Sequence, residues 1–315
     1  MTAPAAAPGV YADLHDLVQL EFRARGYSFL PRQPVHSVLA GKRASRLRGR
    51  GLDFEEIRRY LPGDDIRTID WKVTARTRRP QVRVYTEERD RPVLLVVDQR
   101  QSMFFGSRRA MKSVVAAEAA ALAAWRVLSV GDRIGALVFD DHEVTELKPE
   151  RNRRQVLRIL ETLVRKNRAL RVGPDRVCDR GMLNRALAHA TRLAAHDWLV
   201  CLVTDATGAD AESVRQVTRL GAHNDVLTMF IHDPLEGALP DAGPLVMEDA
   251  GLQLEVDTSQ RVLRKRYEAE FAQRLARLYE LSRQRQIPVL PLDTVTEVPA
   301  QLRTVLGHRS TRPRA

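Results

Sequence analysis

Histidine next to glutamate, as in His142 and Glu143, is half of a zinc-hydrolase signature, but this pair stands alone. Zinc hydrolysis of the His-Glu-x-x-His kind needs a second histidine one helical turn further on, and that motif is absent. His189, His196, His223 and His232 are scattered and read as surface or structural residues. The pair Asp140-Asp141 reads as a turn in preference to a catalytic dyad, because aspartates accept hydrogen bonds from the backbone that follows them. There is no glycine-lysine loop for phosphoryl transfer and no Gly-x-Ser-x-Gly elbow for acyl transfer. Cys178 and Cys201 form no Cys-x-x-Cys pair, so neither a disulfide framework nor a zinc site is expected. The chemistry-bearing residues therefore point away from an enzyme.

The 315 residues, 44% of them hydrophobic, can build a core without covalent staples. A formal net charge of +11, mostly arginine, invites a nucleic-acid or anionic-membrane reading through Lys42 to Arg50, Arg76 to Arg79 and Arg151 to Arg171. Solvated helix faces explain the same excess. Aromatic residues make up only 5%, and none falls in the Lys42 to Arg50 or Arg151 to Arg171 stretches, which argues against single-strand stacking platforms. No apolar run is long enough to span a bilayer and no signal core opens the chain, so a cytoplasmic protein is expected.

Short apolar strands alternate with amphipathic helices from Val93 onward, the pattern of an α/β layer fold with a mostly parallel sheet. Strands are expected at Val93 to Asp98, Arg133 to Asp140, Trp198 to Asp205, Asp225 to His232 and Ile287 to Leu290, with an antiparallel edge at Glu143 to Leu147. Helices are expected at Arg108 to Ser129, Asn152 to Arg165, Met182 to Ala195, Ala211 to Leu220, Arg261 to Gln284 and Val298 to Leu306. In the first of these Glu118 falls inside an apolar stripe, so either a cation such as arginine reaches it or local geometry gives it water. Gly237 to Ser259 reads as an inserted hairpin. The domain plan is a disordered tail over residues 1–10, an N-terminal extension over 11–91, the α/β domain over 92–308 with its hairpin at 237–260, and a basic tail over 309–315. A short helix near Asp13 to Ala24 opens the extension.

Between Gly49 and Asp98 the chain carries Arg59-Tyr60-Leu61-Pro62-Gly63-Asp64-Asp65, Ile69-Asp70-Trp71-Lys72 and Ala75-Arg76-Thr77. Physically, Pro62-Gly63-Asp64-Asp65 is a turn, and Tyr60, Ile69 and Trp71 look like an apolar anchor that packs this segment onto the main domain. With Asp233-Pro234-Leu235-Glu236 and Leu239-Pro240 further on, this ordered series resembles the bacterial domain-of-unknown-function fifty-eight family, in which such motifs precede a von Willebrand factor A-like domain. The resemblance runs from about Gly41 to the last helix.

Such domains hold a divalent ion at the C-terminal edge of the sheet with Asp-x-Ser-x-Ser, a threonine and a late aspartate. Carried onto this sequence, that implies Asp98, Ser102 and Asp205 as ligands, with Arg100 in place of the first serine and Met182 where the threonine is expected. Guanidinium offers only donors and a thioether is a soft ligand, so neither suits magnesium. Arg100 bridging Asp98 and Asp205 would make a degenerate, metal-free site with no cofactor. The alternative has Arg100 swung outward and Thr204 or Thr207 completing a weak Mg2+ site.

The resemblance also implies a protein-interaction adaptor, partner of a MoxR-type AAA+ ATPase in remodelling an unknown client protein. Met103 and Phe104 are then candidate docking anchors, with core packing as their other reading. Nucleic-acid binding is the competing function, and peripheral membrane contact a third.

Overall fold

The computed structural model describes residues 9–24, 52–62, 64–87, 92–173, 178–249, 252–285 and 287–307. The chain divides into two compact units, Ser37–Asp90 and the combination of Met1–His36 with Arg91–Ala315.

Helix α1 (Leu14–Arg23) starts at Asp13, whose carboxylate accepts the His15 N–H at 2.8 Å, the usual way a helix start satisfies its free amides. It belongs to the larger unit: Leu17 is buried, its carbonyl accepts the Trp125 Nε1–H at 3.0 Å, and Asn167 Oδ1 accepts the Ala12 N–H at 2.7 Å. Gly9, at φ 84°, offers its carbonyl to the Met111 N–H at 2.8 Å, a conformation that glycine adopts without a Cβ penalty. These contacts correct two expectations. Gly9 and Val10 are part of the folded unit, not of a disordered tail, and residues 11–91 are not one extension.

The smaller unit is a hairpin of β1 (Leu52–Arg59) and β2 (Gln81–Glu87), antiparallel from Leu52 opposite Glu87 to Arg59 opposite Gln81, with a bulge between Phe54 and Glu56. Helix α2 (Trp71–Thr77) connects the strands and ends at Arg78, in the left-handed region at φ 53°.

In the larger unit six strands lie in the order β10-β7-β6-β3-β4-β5. Strands β3 (Val93–Asp98), β4 (Ile134–Phe139), β6 (Leu199–Thr204), β7 (Asp225–His232) and β10 (Val289–Asp293) are parallel, while β5 (Val144–Glu150) runs antiparallel along β4. Every residue of β3, β4 and β6 is buried, as continuous Val, Leu and Ile runs covered on both faces require. Only Leu147 of the edge strand β5 is buried.

The faces of β3 divide the core. Val93, Leu95 and Val97 join the cluster under α3 (Lys112–Ser129) and α4 (Arg153–Ala169). Leu94 and Val96, on the opposite face of the pleat, join Met182, Leu183 and Leu187 of α5 (Met182–Leu193) and Leu220 of α6 (Ala211–His223). The alanines of α3 are buried nearly all round, and its lone acid, Glu118, is held by both Arg109 terminal nitrogens at 3.0 Å each, a forked charge-assisted pair. Residues 108–111 are not helical as expected, because the Met111 and Lys112 N–H groups go to the Gly9 and Phe105 carbonyls.

After β7 come the short α7 (Pro234–Gly237), the hairpin β8 (Pro244–Asp249) and β9 (Leu252–Asp257), the long α8 (Arg261–Arg285) and α9 (Val298–Gly307). This layering is the expected α/β architecture, a mostly parallel sheet flanked by helices with one antiparallel edge. Among the described residues no helix is long and apolar enough to cross a membrane.

Candidate functional site

From β3 the chain crosses to β4 on one side, while β6, β7 and β10 build outward on the other. Loops leaving β3 and β6 therefore diverge, and a doubly wound sheet opens a crevice at such a point. Asp98 ends β3, Thr204 ends β6, and Asp205 follows.

Asp98 is fully buried. Its Oδ1 accepts the Arg100 N–H at 3.0 Å and Nε–H at 2.9 Å, and its Oδ2 accepts Arg100 Nη2 at 2.6 Å and Thr204 Oγ1 at 2.7 Å. This fork is the bidentate geometry that makes arginine–carboxylate pairs strong. Arg100 is itself only 2% exposed. Its guanidinium also donates to the Thr207 carbonyl at 3.0 Å and lies 3.8 Å from Asp205 Oδ1. It stands 5.5 Å from the centre of the Phe139 ring, within the range at which a ring face attracts a cation. Burial opposes its charge, but Asp98, with Asp205 and Asp141 behind it, outweighs that and holds the group above the usual arginine range.

Lys112, the first residue of α3, is the second buried cation. Its ammonium donates to Asp205 Oδ2 at 2.8 Å and Glu236 Oε1 at 2.7 Å. Burial alone would lower its pKa, and the two carboxylates raise it instead. Asp205 is pushed up by its own burial but pulled further down by Lys112, to about 2. Its Oδ1 accepts the Thr207 N–H at 2.8 Å. Between them Ala206 sits at φ 56°. That left-handed conformation costs a non-glycine residue on the order of 1 kcal/mol.

Glu236 reaches Lys112 through local chemistry. Asp233 caps α7 by accepting the Leu235 N–H at 2.8 Å. Glu236 Oε2 returns to the Asp233 N–H at 2.9 Å, which closes a reciprocal capping box. That box leaves Oε1 for the lysine. Asp233 Oδ2 accepts Ser107 N–H at 2.8 Å, Ser107 Oγ at 3.0 Å and the Thr294 hydroxyl, tying the loop after β3 to the end of β10.

Asp141 flanks this centre, accepting the Gln101 N–H at 2.6 Å and the Asp179 N–H at 2.9 Å, with its pKa raised by burial. Asp140 closes a turn on the His142 and Glu143 N–H groups at 2.9 and 2.8 Å and pairs with Lys166 at 2.7 Å.

The other expected site residues divide. The Ser102 hydroxyl is buried and has no hydrogen-bond partner among the described residues. Met103 is completely buried, so it is a core residue and not an exposed anchor; the chain tightens into a 3-10 turn over Gln101–Met103 and points it inward. Phe104 is half-buried, its ring 5.6 Å from that of Tyr11. Phe105, 42% exposed, is the aromatic that faces solvent. Met182 is buried beside Phe139 and Leu183, and its sulfur accepts Arg185 Nε–H at 2.9 Å.

Both oxygens of Asp98 and both of Asp205 are thus engaged, by a guanidinium, an ammonium, a hydroxyl and backbone N–H. A magnesium ion, which requires a shell of hard oxygens, would have to displace two fixed cations. This donor set does not fit it. Among the described residues no cluster of three or more His, Cys, Asp or Glu is arranged to hold a metal.

In the smaller unit the family-like motif builds caps. Asp64 accepts Arg58 at 2.8 and 2.7 Å and the Leu61 N–H at 2.8 Å. Asp65 accepts the Arg67 N–H at 3.0 Å, and Asp70 caps α2 through Lys72 and Val73 N–H at 3.0 and 3.1 Å while pairing with Arg83 at 2.8 Å. The Tyr60 N–H donates to the Pro80 carbonyl at 3.0 Å, and Arg59 and Pro62 are exposed. Trp71 is 69% exposed, so its indole is not the buried anchor expected; as the first residue of α2 it projects beside the cap. Gly63 and the Lys42 to Arg50 stretch lie outside the described residues.

The sequence model of the family described as "Protein of unknown function DUF58" matches residues 56–277. The chain belongs to the DUF58 family. An uncharacterized protein of Mycobacterium tuberculosis strain H37Rv is 32% identical to this DUF58 chain over 219 residues, 70% of the chain and 67% of the relative, and a Mycobacterium bovis protein matches equally. Among solved structures, the conserved hypothetical protein BatB of Bacteroides thetaiotaomicron superposes with a TM-score of 0.42 at 12% identity, over 70% of this chain and 97% of that one. A von Willebrand factor type A protein of Catenulispora acidiphila superposes at 0.32 and 12%, over 48% and 35%.

Sequence reasoning about this DUF58 chain overlooks Lys112 and the role of Glu236. Signals for both exist. Lys112 is a cation at the head of an otherwise apolar helix, and Asp-Pro-Leu-Glu is a capping-box pattern that points a glutamate back toward the helix start.

Proposed function

We propose that the protein is a non-enzymatic protein-interaction adaptor that docks its partners at the C-terminal edge of the sheet, in the cytoplasm. The observation that carries this reading is the paired ionic network at the switch point, Asp98 with Arg100 and Asp205 with Lys112. Open α/β sheets bind their ligands at such a switch point. Here the carboxylates are neutralised by internal cations, and among the described residues no histidine or cysteine is hydrogen-bonded to Asp98, Ser102 or Asp205. Such a network holds the loops after β3 and β6 in one shape before a partner arrives, which lowers the ordering cost of binding. Arg100 stands in for the metal of a von Willebrand A-like ion site, making it a degenerate one. The exposed Phe105 is the aromatic anchor, and the family resemblance supplies the partner: a MoxR-type AAA+ ATPase, acting with this protein on a client.

The test is capture of a purified MoxR-type ATPase by the nuclease-treated protein at near-physiological salt. Wild type is expected to retain the ATPase, and Phe105→Asp, which alters an exposed side chain, to lose it with an unchanged circular dichroism spectrum. Equal capture by both moves docking away from this edge. No capture by wild type, together with nucleic acid that co-purifies with the protein before nuclease treatment, replaces the adaptor reading with the nucleic-acid one. Magnesium is expected to give no calorimetric binding heat; binding that Asp98→Ala abolishes overturns the metal-free site.

A further inference from the structure

We infer that the smaller unit carries a binding face for anionic phospholipid, formed by exposed apolar side chains and by cations that make no ion pair among the described residues. Leu61, Ile66 and Trp71 are 58, 66 and 69% exposed, three large apolar side chains within one short segment that holds few buried groups. Single exposed apolar residues are ordinary, whereas a group of them rimmed by charge marks a contact surface.

Charge in this segment is one-sided. From Ile57 to Arg83 the sequence has eight Arg or Lys and three Asp. All three aspartates are turned to internal work, Asp64 on Arg58, Asp65 as a cap and Asp70 as a cap and on Arg83. Arg59, Arg67, Lys72, Arg76, Arg78 and Arg79 are exposed, and none makes an ion pair among the described residues. Arg67, Lys72, Arg83 and Asp70, whose carboxylate is taken by Arg83, line a depression of about 330 Å3 beside Trp71, where Arg67 and Lys72 leave a place for a phosphate headgroup next to the indole.

The mixture selects the occupant. Leu61 and Ile66 have no use in base stacking, which needs flat π surfaces, and Trp71 is the lone strongly exposed aromatic of the group. Tryptophan with aliphatic neighbours inside a basic rim is the composition of interfacial anchors, in which the indole sits at headgroup level, hydrocarbon enters the acyl boundary and cations meet lipid phosphates. This face shares no residue with the docking edge of the sheet.

The experiment uses the whole protein with vesicles of phosphatidylcholine alone or with about one-third phosphatidylglycerol. Sedimentation is expected only with the anionic vesicles. Replacing Arg67 and Lys72 together by Gln is expected to weaken it about 25-fold, roughly fivefold for each cation near an anionic surface. Ile66→Ser is expected to weaken it at least about tenfold through lost apolar burial. Brominated lipid is expected to quench tryptophan emission in wild type and not in Trp71→Phe, since Trp125 is buried and Trp198 packs against the core of the larger unit. Equal sedimentation with both vesicle types, or undiminished quenching in Trp71→Phe, overturns the inference. Loss of single-stranded DNA binding in the Gln double variant with vesicle binding intact overturns it in favour of a nucleic-acid surface.

Discussion

Removing one member of a buried ion pair leaves the other charge stranded, whereas removing both does not. Arg100→Met strands Asp98, and both groups are buried almost completely. The expected loss is about 3–5 kcal/mol of unfolding free energy by urea titration. Adding Asp98→Leu to that variant is expected to restore most of it. A single-variant loss no larger than that of an exposed pair, about 0–1 kcal/mol, contradicts the pairing. The second pair makes a pH prediction. Asp205, raised by burial but lowered more by Lys112, titrates at about 2 in the folded protein, against about 3.9 in an unfolded chain. Its stabilisation is therefore complete above the unfolded value and is lost as pH falls through the folded one. Lys112 acts in the opposite sense, contributing below about 10.4 and losing that contribution as pH climbs through its raised folded value. Asp205→Asn is expected to flatten the acid limb of stability between about pH 4 and 2, read by chemical denaturation across that window. An unchanged limb shows that other carboxylates govern it.

Helix α1 shows how an element far from the site supports it. Leu17 is 1% exposed against α3, and Asn167, which accepts the Ala12 N–H, donates at 3.1 Å to Gln99, the residue between Asp98 and Arg100. Leu17→Ala is expected to cost about 2–5 kcal/mol and to expose residues around α1 to limited proteolysis; a variant as stable and resistant as wild type shows that α1 packs elsewhere. The buried strands are legible because a parallel strand covered on both faces leaves no polar position to blur an apolar run, as Val93 to Val97 shows. Strands β1 and β2 lack such a run: Leu-Asp-Phe-Glu-Glu-Ile-Arg-Arg and Gln-Val-Arg-Val-Tyr-Thr-Glu interleave charge with apolar residues in a two-stranded sheet. Of the site, Asp98, Arg100 and Asp205 follow from strand ends and family pattern. Lys112 does not, because its partners lie 93 and 124 residues away and only the folded sheet brings them together. Met103 and Trp71 mislead in opposite directions, since an apolar residue in a short turn or at a helix start carries no sign of whether the local backbone aims it inward or outward.

At the scale of the whole molecule the two units differ in how they are held. In the larger unit, three adjacent strands are wholly buried between helix layers, and their amides sit behind two apolar clusters. In the smaller unit, Asp70 and Val82 alone are buried among the side chains described there, and its order rests on strand hydrogen bonds, aspartate caps and surface ion pairs. Surface pairs contribute about 0–1 kcal/mol each, and a two-stranded hairpin without a deep core is marginal in water. Local opening of such a segment needs far less free energy than global unfolding. Hydrogen–deuterium exchange with peptide resolution is therefore expected to label the amides of Leu52–Glu87 orders of magnitude faster than those of β3, β4 and β6, at a pH where the Asp205–Lys112 pair is intact. Anionic vesicles, if they bind the Trp71 face, are expected to slow exchange in Leu52–Glu87 and leave the central sheet unchanged, because a ligand stabilises only the state it binds. Uniform slow exchange through both units instead shows that the smaller one is held by more than its own contacts, and that its opening is coupled to the unfolding of the sheet.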